Sequence, residues 1–181
     1  DYYAMISHLD ASIGRILESL KKTDMFDDTI ILFSADNGLG LGEHGLMGKQ
    51  NCYEHSIKIP LIFSGPGIPK DERRNGMVYL LDIFPTLCEL AQVHVPESVE
   101  GISFAGQLND PEAKNRDVMY FGYRDKIRGV KTERYKLIHY RYKTQNWLQM
   151  FDLKEDPYEI KDLSSDASMA GIRAELEEKL T

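Results

Sequence analysis

The sequence predicts an α/β layer with a mainly parallel sheet, followed by a small antiparallel four-stranded sheet closed by a helix. Three observations carry this expectation. Two short apolar runs rich in β-formers lie between amphipathic helical stretches in the first part of the chain. Four strand-sized runs later succeed one another through short polar turns, and the last residues carry an apolar stripe at helical spacing. A helix, strand, loop, strand, helix order belongs to layered α/β architectures. Strands joined by short turns pair antiparallel.

From Tyr2 to Lys22, residues Met5, Leu9, Ile13, Ile16, Leu17 and Leu20 recur at helical spacing, with Asp10, Arg15, Glu18 and Lys21 on the opposite side. That is one amphipathic helix. After the turn-prone Asp27-Asp28, the run Thr29 to Ala35 is apolar or β-branched at almost every position, the pattern of a strand buried on both faces. It stops at Asp36-Asn37-Gly38. Leu39 to Gln50 contains four glycines and no periodicity, which suits a loop whose backbone approaches something closely. Lys58 to Ser64 reads as a second buried strand, ended by Gly65-Pro66-Gly67, and a further helix is expected from Tyr79 to Gln92.

The pattern changes after Ser103. Asp117 to Tyr123, Lys126 to Thr132, Tyr135 to Tyr142 and Trp147 to Leu153 are the four short strands, and Ala167 to Leu180 is a helix able to cover one face of their sheet. Asn109-Asp110-Pro111 breaks regular structure. A boundary is therefore expected between residues 106 and 114, giving an α/β part over 1–108 and a small α+β subdomain over 109–181.

Composition narrows the function classes. A content of 42% hydrophobic and 28% charged residues supports a folded core. The net charge of -7 and the lack of any basic tract argue against a nucleic-acid partner. The longest apolar runs are strand-sized, so no membrane span is expected. Cys52 and Cys88 are too few for a disulfide framework or a four-ligand zinc site. The chain opens at Asp1 directly into a helical pattern without the features of a signal peptide. A preceding segment is expected, and the compartment is left open.

The chemistry concentrates after the first strand. Asp36 offers a carboxylate and Asn37 a neutral carbonyl oxygen, hard donors suited to Ca²⁺ or Mg²⁺, at the strand end where ligands gather in open α/β sheets. Asp-Asn-Gly is also a common turn, and an isolated loop lysine such as Lys49 is usually solvated. The glycine-rich loop beyond Gly38 adds an acid, an imidazole and an ammonium: Glu43, His44 and Lys49.

The run Ser34-Ala35-Asp36-Asn37-Gly38, with Leu41-Gly42-Glu43-His44-Gly45, Gly48-Lys49 and Ile59-Pro60-Leu61-Ile62 after it, closely resembles the sulfatase family of the alkaline-phosphatase-like superfamily. Tyr2-Tyr3-Ala4-Met5-Ile6, Leu81-Asp82-Ile83-Phe84-Pro85-Thr86-Leu87 and Gly101-Ile102-Ser103 are similar to further segments of it. So are Tyr135-Lys136-Leu137-Ile138, Phe151-Asp152-Leu153, Asp156-Pro157 and Asp162-Leu163, which fall in its small C-terminal subdomain. The similarity runs in order along nearly the whole chain.

The resemblance implies the C-terminal part of an alkaline-phosphatase-like sandwich in residues 1–108. It also implies hydrolysis of a sulfate monoester on a small molecule or glycan. A divalent metal, usually Ca²⁺, would be held by an Asp pair from a missing N-terminal half and by Asp36 and Asn37. The nucleophile of the family is a formylglycine made from a Cys/Ser-x-Pro-x-Arg motif; neither Cys52-Tyr53-Glu54 nor Cys88-Glu89-Leu90 matches it, so it too is expected in that half. This chain alone is therefore expected to be inactive.

Lys49 would contact a sulfate oxygen and the leaving-group oxygen. His44 is a catalytic candidate as a proton donor or site-lining group, with a loop-ordering hydrogen bond as the other possibility, and Glu43 is expected to support the loop. His8, His55, His94 and His139 have no motif support and are expected to be surface or structural. Arg124 and Arg128 are candidates for the substrate mouth or for a solvated sheet edge. Two rival functions stay open: a phosphonate monoester or phosphodiester hydrolase of the same superfamily, which often has Asp-His in place of Asp36-Asn37, and a non-catalytic sulfatase-like binding module.

Overall fold

A computed structural model describes residues 1–180, and by packing the chain forms two compact units, residues 1–34 with 61–72 and residues 35–60 with 73–181. The first unit contains helix α1 (Tyr2–Lys22) and strand β1 (Ile31–Ser34). Helix α1 has the bounds its periodicity predicts, and it ends where the Thr23 hydroxyl and backbone N–H both turn back to the Ser19 carbonyl. Strand β1 begins two residues later than expected because Thr29 is taken up in closing a 3₁₀ turn, its N–H donating to the Phe26 carbonyl.

In the second unit the chain passes through strands β2 (Gly40–Leu41) and β3 (Met47–Gly48) and the single-turn helix α2 (Glu54–Ile57). It then returns to the first unit as β4 (Leu61–Ser64). Pro60 has no N–H to give a ladder, so the strand starts after it. Strand β4 pairs with β1 antiparallel, Ile31 opposite Ser64 and Ser34 opposite Leu61. The pairing orientation therefore differs from the parallel one expected. A parallel pair needs a crossover of a dozen or so residues, usually a helix, and residues 35–60 instead form a hairpin and one helical turn. Burial of these strands on both faces is met only in part, since Phe33 and Ile62 remain exposed. Gly65 must stay glycine: its φ is 144° and a Cβ there would lie 2.7 Å from the Thr29 carbonyl oxygen.

The rest of the second unit holds helix α3 (Ile83–Leu90), the short helix α4 (Ala105–Asn109) and strands β5 (Met119–Tyr123), β6 (Ile127–Lys131), β7 (Tyr135–Tyr142) and β8 (Gln145–Asp152), then helix α5 (Ala170–Leu180). The helix expected over Tyr79–Gln92 is shorter because its first turn is 3₁₀ and Gln92 takes a left-handed φ of 57°. Asp82, fully buried, explains the tight entry. Its carboxylate accepts the N–H groups of Tyr79 (2.7 Å) and Ile102 (2.8 Å) and is gripped by both ends of the Arg116 guanidinium.

Strands β5 to β8 form one antiparallel sheet in sequence order. One face is covered by α5, whose Leu176 meets Val130, Leu137 and Met150, as the apolar stripe predicts. The other face receives Cys52 and Tyr53, which pack on Ile138 and Phe151. The sheet thus supports the residues just after the glycine-rich loop, a relationship between residues about a hundred positions apart.

Candidate functional site

The chain leaves β1 at Ser34 and continues through Asp36, Asn37 and Gly38. Gly38 donates its N–H to the Ser56 carbonyl at 2.9 Å, and a Cβ on it would lie 2.0 Å from the His55 carbonyl oxygen. Only glycine lets the backbone run this close to α2.

The glycines of the next segment build a small hairpin. Gly40 pairs with Gly48 and Leu41 with Met47. Gly42 and His44 adopt φ of 128° and 54° in the intervening turn, and the Glu43 carboxylate accepts the Leu41 N–H at 2.6 Å. Backbone hydrogen bonds hold the Glu43 carboxyl below its usual range. Glu43 therefore orders the loop, as expected.

The hairpin brings Lys49 back beside the residues that precede it. Lys49 Nζ donates to Asn37 Oδ1 at 2.5 Å and lies 3.7 Å from Asp36 Oδ2. The Asn37 amide nitrogen donates to the Gly38 carbonyl at 2.9 Å, which orients Oδ1 toward the ammonium. Asp36 and Lys49 are open to solvent. Three of the four residues singled out in the sequence, Asp36, Asn37 and Lys49, form one polar cluster.

His44 sits differently. Its ring stacks on Tyr53, centroids 3.9 Å apart and planes within 5°, and His55 lies 5.7 Å from both rings. Burial, then the neighbouring His44, lowers the His55 pKa. Asn51 fixes the tautomer: its Oδ1 accepts the Tyr53 N–H, so its nitrogen faces His55 Nε2 at 3.2 Å as donor. His55 is therefore neutral with its proton on Nδ1. Motif and spacing assign His55 no role, and the structure makes it part of the support beneath His44.

Below this layer lies a buried ion network. Lys136, with no exposed surface, donates to Glu159 at 2.6 Å and to the Cys52 carbonyl at 3.0 Å, and is 2.6 Å from Glu54. Lys131 donates to both Glu54 oxygens, and Glu159 accepts the Glu54 N–H. Burial alone would raise the Glu54 carboxyl, but Lys136 and Lys131 outweigh it and hold its pKa down. For Lys131 the balance is reversed, and burial lowers the ammonium despite Glu54. No short-range signal marks Glu54, Lys131, Lys136 and Glu159 as partners, because they come from separate segments.

The other candidates have structural roles. Arg128 bonds the carbonyls of Arg124 and Ile127, and Arg124 lies over the Tyr123 ring, so both belong to the hairpin turn. Cys52 and Cys88 are buried and free. Among the described residues no group of three or more His, Cys, Asp or Glu side chains is placed to hold a metal, and no helix is long and apolar enough to cross a membrane. The two adjacent oxygens of Asp36 and Asn37 fit a hard divalent cation chemically.

Helices and short strands leading into a four-stranded antiparallel sheet with a covering helix are the fold of the alkaline-phosphatase-like hydrolases, which solved structures share with this chain. Residues 42–181 match the family model described as N-sulphoglucosamine sulphohydrolase, C-terminal. The chain belongs to the sulfatase family. It is 32% identical, over 97% of its length and 34% of the relative's, to N-acetylglucosamine-6-O-sulfatase of Bacteroides thetaiotaomicron. Choline-sulfatase of Rhizobium meliloti is 34% identical over 90% of this chain and 32% of its own. A solved structure described in complex with its substrate D-glucosamine-2-N,6-O-disulfate superposes with a TM-score of 0.90 at 33% identity, covering 99% of this chain and 39% of that one. Phosphonate monoester hydrolase of Agrobacterium radiobacter superposes at 0.81 with 28% identity over 99% of this chain and 39% of its own. The chain thus spans about a third of the length of the curated relatives it matches.

Proposed function

We propose that this chain serves the hydrolysis of a sulfate monoester, contributing Asp36 and Asn37 as oxygen ligands to a divalent cation and Lys49 as a contact to the sulfate. The observation that carries this reading is the Lys49 ammonium held beside the Asp36 carboxylate and the Asn37 amide oxygen. A cation bound there, Ca²⁺ or alternatively Mg²⁺, would supply positive charge to the sulfate oxygens. Lys49 adds a compact, mobile ammonium able to follow charge from a sulfate oxygen to the departing alkoxide.

His44 lines the same loop. Stacked on Tyr53 and exposed, it is available to donate a proton to the leaving oxygen, and its left-handed backbone fixes the ring's position. Two side-chain ligands are few for a cation that takes six to eight oxygens, so this chain by itself is expected to bind Ca²⁺ weakly and to be inactive. A nucleophile outside this chain, a formylglycine in the family pattern, would complete the site. The relatives named for N-acetylglucosamine 6-O-sulfate and for glucosamine disulfate support a sulfated aminosugar as substrate.

The phosphonate monoester hydrolase likeness supports the second reading. Asn37 weighs against it, since the phosphonate monoester and phosphodiester hydrolases of the superfamily often have Asp-His where this chain has Asp36-Asn37. Turnover of 4-nitrophenyl sulfate and of a phosphodiester is to be compared in a protein carrying this chain at the full length of its relatives. Faster sulfate release, abolished by Lys49→Ala, is expected. Faster phosphodiester cleavage would replace the assignment, and turnover of neither would favour a binding module.

A further inference from the structure

The four-stranded sheet carries a feature that the sulfate site does not use. On its face toward the glycine-rich segment, Lys136, Ile138, Tyr140 and Tyr142 alternate along β7, and the register sets Tyr140 opposite Trp147. Cys52 and Tyr53 cover the Ile138 part of that face. Toward the β5–β6 and β7–β8 turns it opens instead into a cavity of about 230 Å³.

Four aromatic side chains, Tyr123, Tyr140, Tyr142 and Trp147, wall this cavity, and Lys126 and Arg141 supply its charge. Gln50, the residue after Lys49, lines it as well. Tyr140 and Trp147 stack with centroids 4.8 Å apart and planes within 7°, which presents a fixed flat wall. Trp147 and Tyr142 nevertheless remain 45% exposed.

Lys126 and Lys143 both approach the Tyr142 ring, at 5.0 and 5.4 Å. Cations thus gather here in a chain of net charge -7, and among the described residues no acid lines the cavity. The two turns at this end each hold a cation, Arg124 and Lys143, at φ of 53° and 54°. The left-handed φ at these positions is what tight hairpin turns require, and it sets the two turns that border the cavity.

The chemistry selects an occupant. Aromatic walls with phenol and indole edges accept a flat apolar face while bonding polar groups at its rim. A sugar ring has both. The volume is below the roughly 300–1,000 Å³ of drug-sized ligand sites, which suits one ring, and the cations require a negative substituent on it. The geometry points to an aromatic-walled subsite for a single anionic sugar ring, reached from Lys49 along the chain through Gln50. Its place in a substrate site rests on the sulfate-ester reading above; its ability to bind the ring does not.

Trp147 is the only tryptophan in the sequence, so its fluorescence reports this cavity alone. The chain is titrated at constant ionic strength with glucosamine 6-sulfate, with glucosamine and with inorganic sulfate. A saturable change is expected with the sulfated sugar only, and the half-saturation concentration rises roughly tenfold in Tyr142→Ala and in a Lys126→Ala, Arg141→Ala double variant, the loss expected for contacts to a charged group. Lys161→Ala, outside the cavity lining, leaves the titration unchanged. No saturable change, an equal response to glucosamine, or a response lost in Lys49→Ala but kept in the cavity variants would overturn the proposal. Failure of the 4-nitrophenyl sulfate assay would remove the sulfatase reading without altering this titration.

Discussion

Lys49 Nζ donates to Asn37 Oδ1 at 2.5 Å, so the ammonium occupies the oxygen that would serve a bound cation. The pairing of Gly40 with Gly48 sets this contact by returning the chain beside its own start. A divalent cation bound at Asn37 as proposed would compete with Lys49 for this oxygen and would free the ammonium.

That competition separates two effects of one substitution. Lys49→Met removes a positive charge and frees Asn37, so Ca²⁺ binding, read by isothermal titration, is expected to tighten by up to about thirtyfold, the scale of a unit charge against a divalent one at ~4 Å in water. Sulfate-ester turnover, in a protein carrying this chain at the full length of its relatives, is expected to fall by about 10²–10³ in kcat, as when one stabilising donor is lost. Weaker Ca²⁺ binding in Lys49→Met would contradict the placement of the metal at Asn37.

The buried network beneath the site makes stability depend on acid. Glu54 is held below its usual pKa by Lys136 and Lys131 against the opposing effect of burial. A depressed carboxyl contributes stability that is fully present above the unfolded value of about 4.3 and is lost as pH falls through the lower folded value. Urea midpoints are expected to be flat in this respect near neutrality and to drop below about pH 4.3. Lys136→Met leaves Glu54 and Glu159 without their shared partner and is expected to cost about 3–5 kcal/mol in urea unfolding. A Lys136→Met, Glu159→Met double variant should recover part of that loss.

Thiol chemistry tests the packing of the site segment on the sheet. Burial pushes the Cys52 thiol up to about 11, against a smaller opposing pull from Lys136, and Cys88 is also buried. Neither thiol is expected to react with a thiol-exchange reagent at pH 8 in the folded chain, and both should react in denaturant. Rapid labelling of Cys52 in the folded chain would mean that the segment lifts off Ile138 and Phe151.

Gly38 offers a steric test. A Cβ there would lie 2.0 Å from the His55 carbonyl oxygen, and neither backbone yields without breaking the Gly38 to Ser56 hydrogen bond. Gly38→Ala is expected to destabilise by about 1–3 kcal/mol, the range for overpacking. It should also weaken Ca²⁺ binding by displacing Asn37, while Gly106→Ala, where a Cβ meets nothing within 4 Å, leaves Ca²⁺ binding unchanged.

Much of this architecture is legible in local pattern. The spacing of Met5, Leu9, Ile13 and Ile16 gives α1 its full extent, and the turns at Glu133-Arg134 and Lys143-Thr144 separate strands whose antiparallel order comes from short connections. Asp36, Asn37 and Lys49 read by residue type as a turn and a solvated lysine, and the resemblance of the run from Ser34 to Lys49 to the sulfatase family is what marks them. Local pattern fails where a partner is remote. The helix, strand, loop, strand, helix order suggests a mainly parallel sheet, but element order does not fix how two strands pair, and β1 and β4 pair antiparallel.

Residue types and spacings within a turn or a strand were enough to set most of the elements, and the ordered resemblance to the sulfatase family singled out the polar residues at the strand end. Folding in three dimensions was needed to rest Lys49 on Asn37, to stack His44 on Tyr53 above a neutral His55, and to join Glu54, Lys131, Lys136 and Glu159 in one buried network. The difference is one of range. Backbone hydrogen bonding and periodic burial act between neighbours along the chain, whereas ion pairing and ring stacking depend on distances that exist only after the chain has folded.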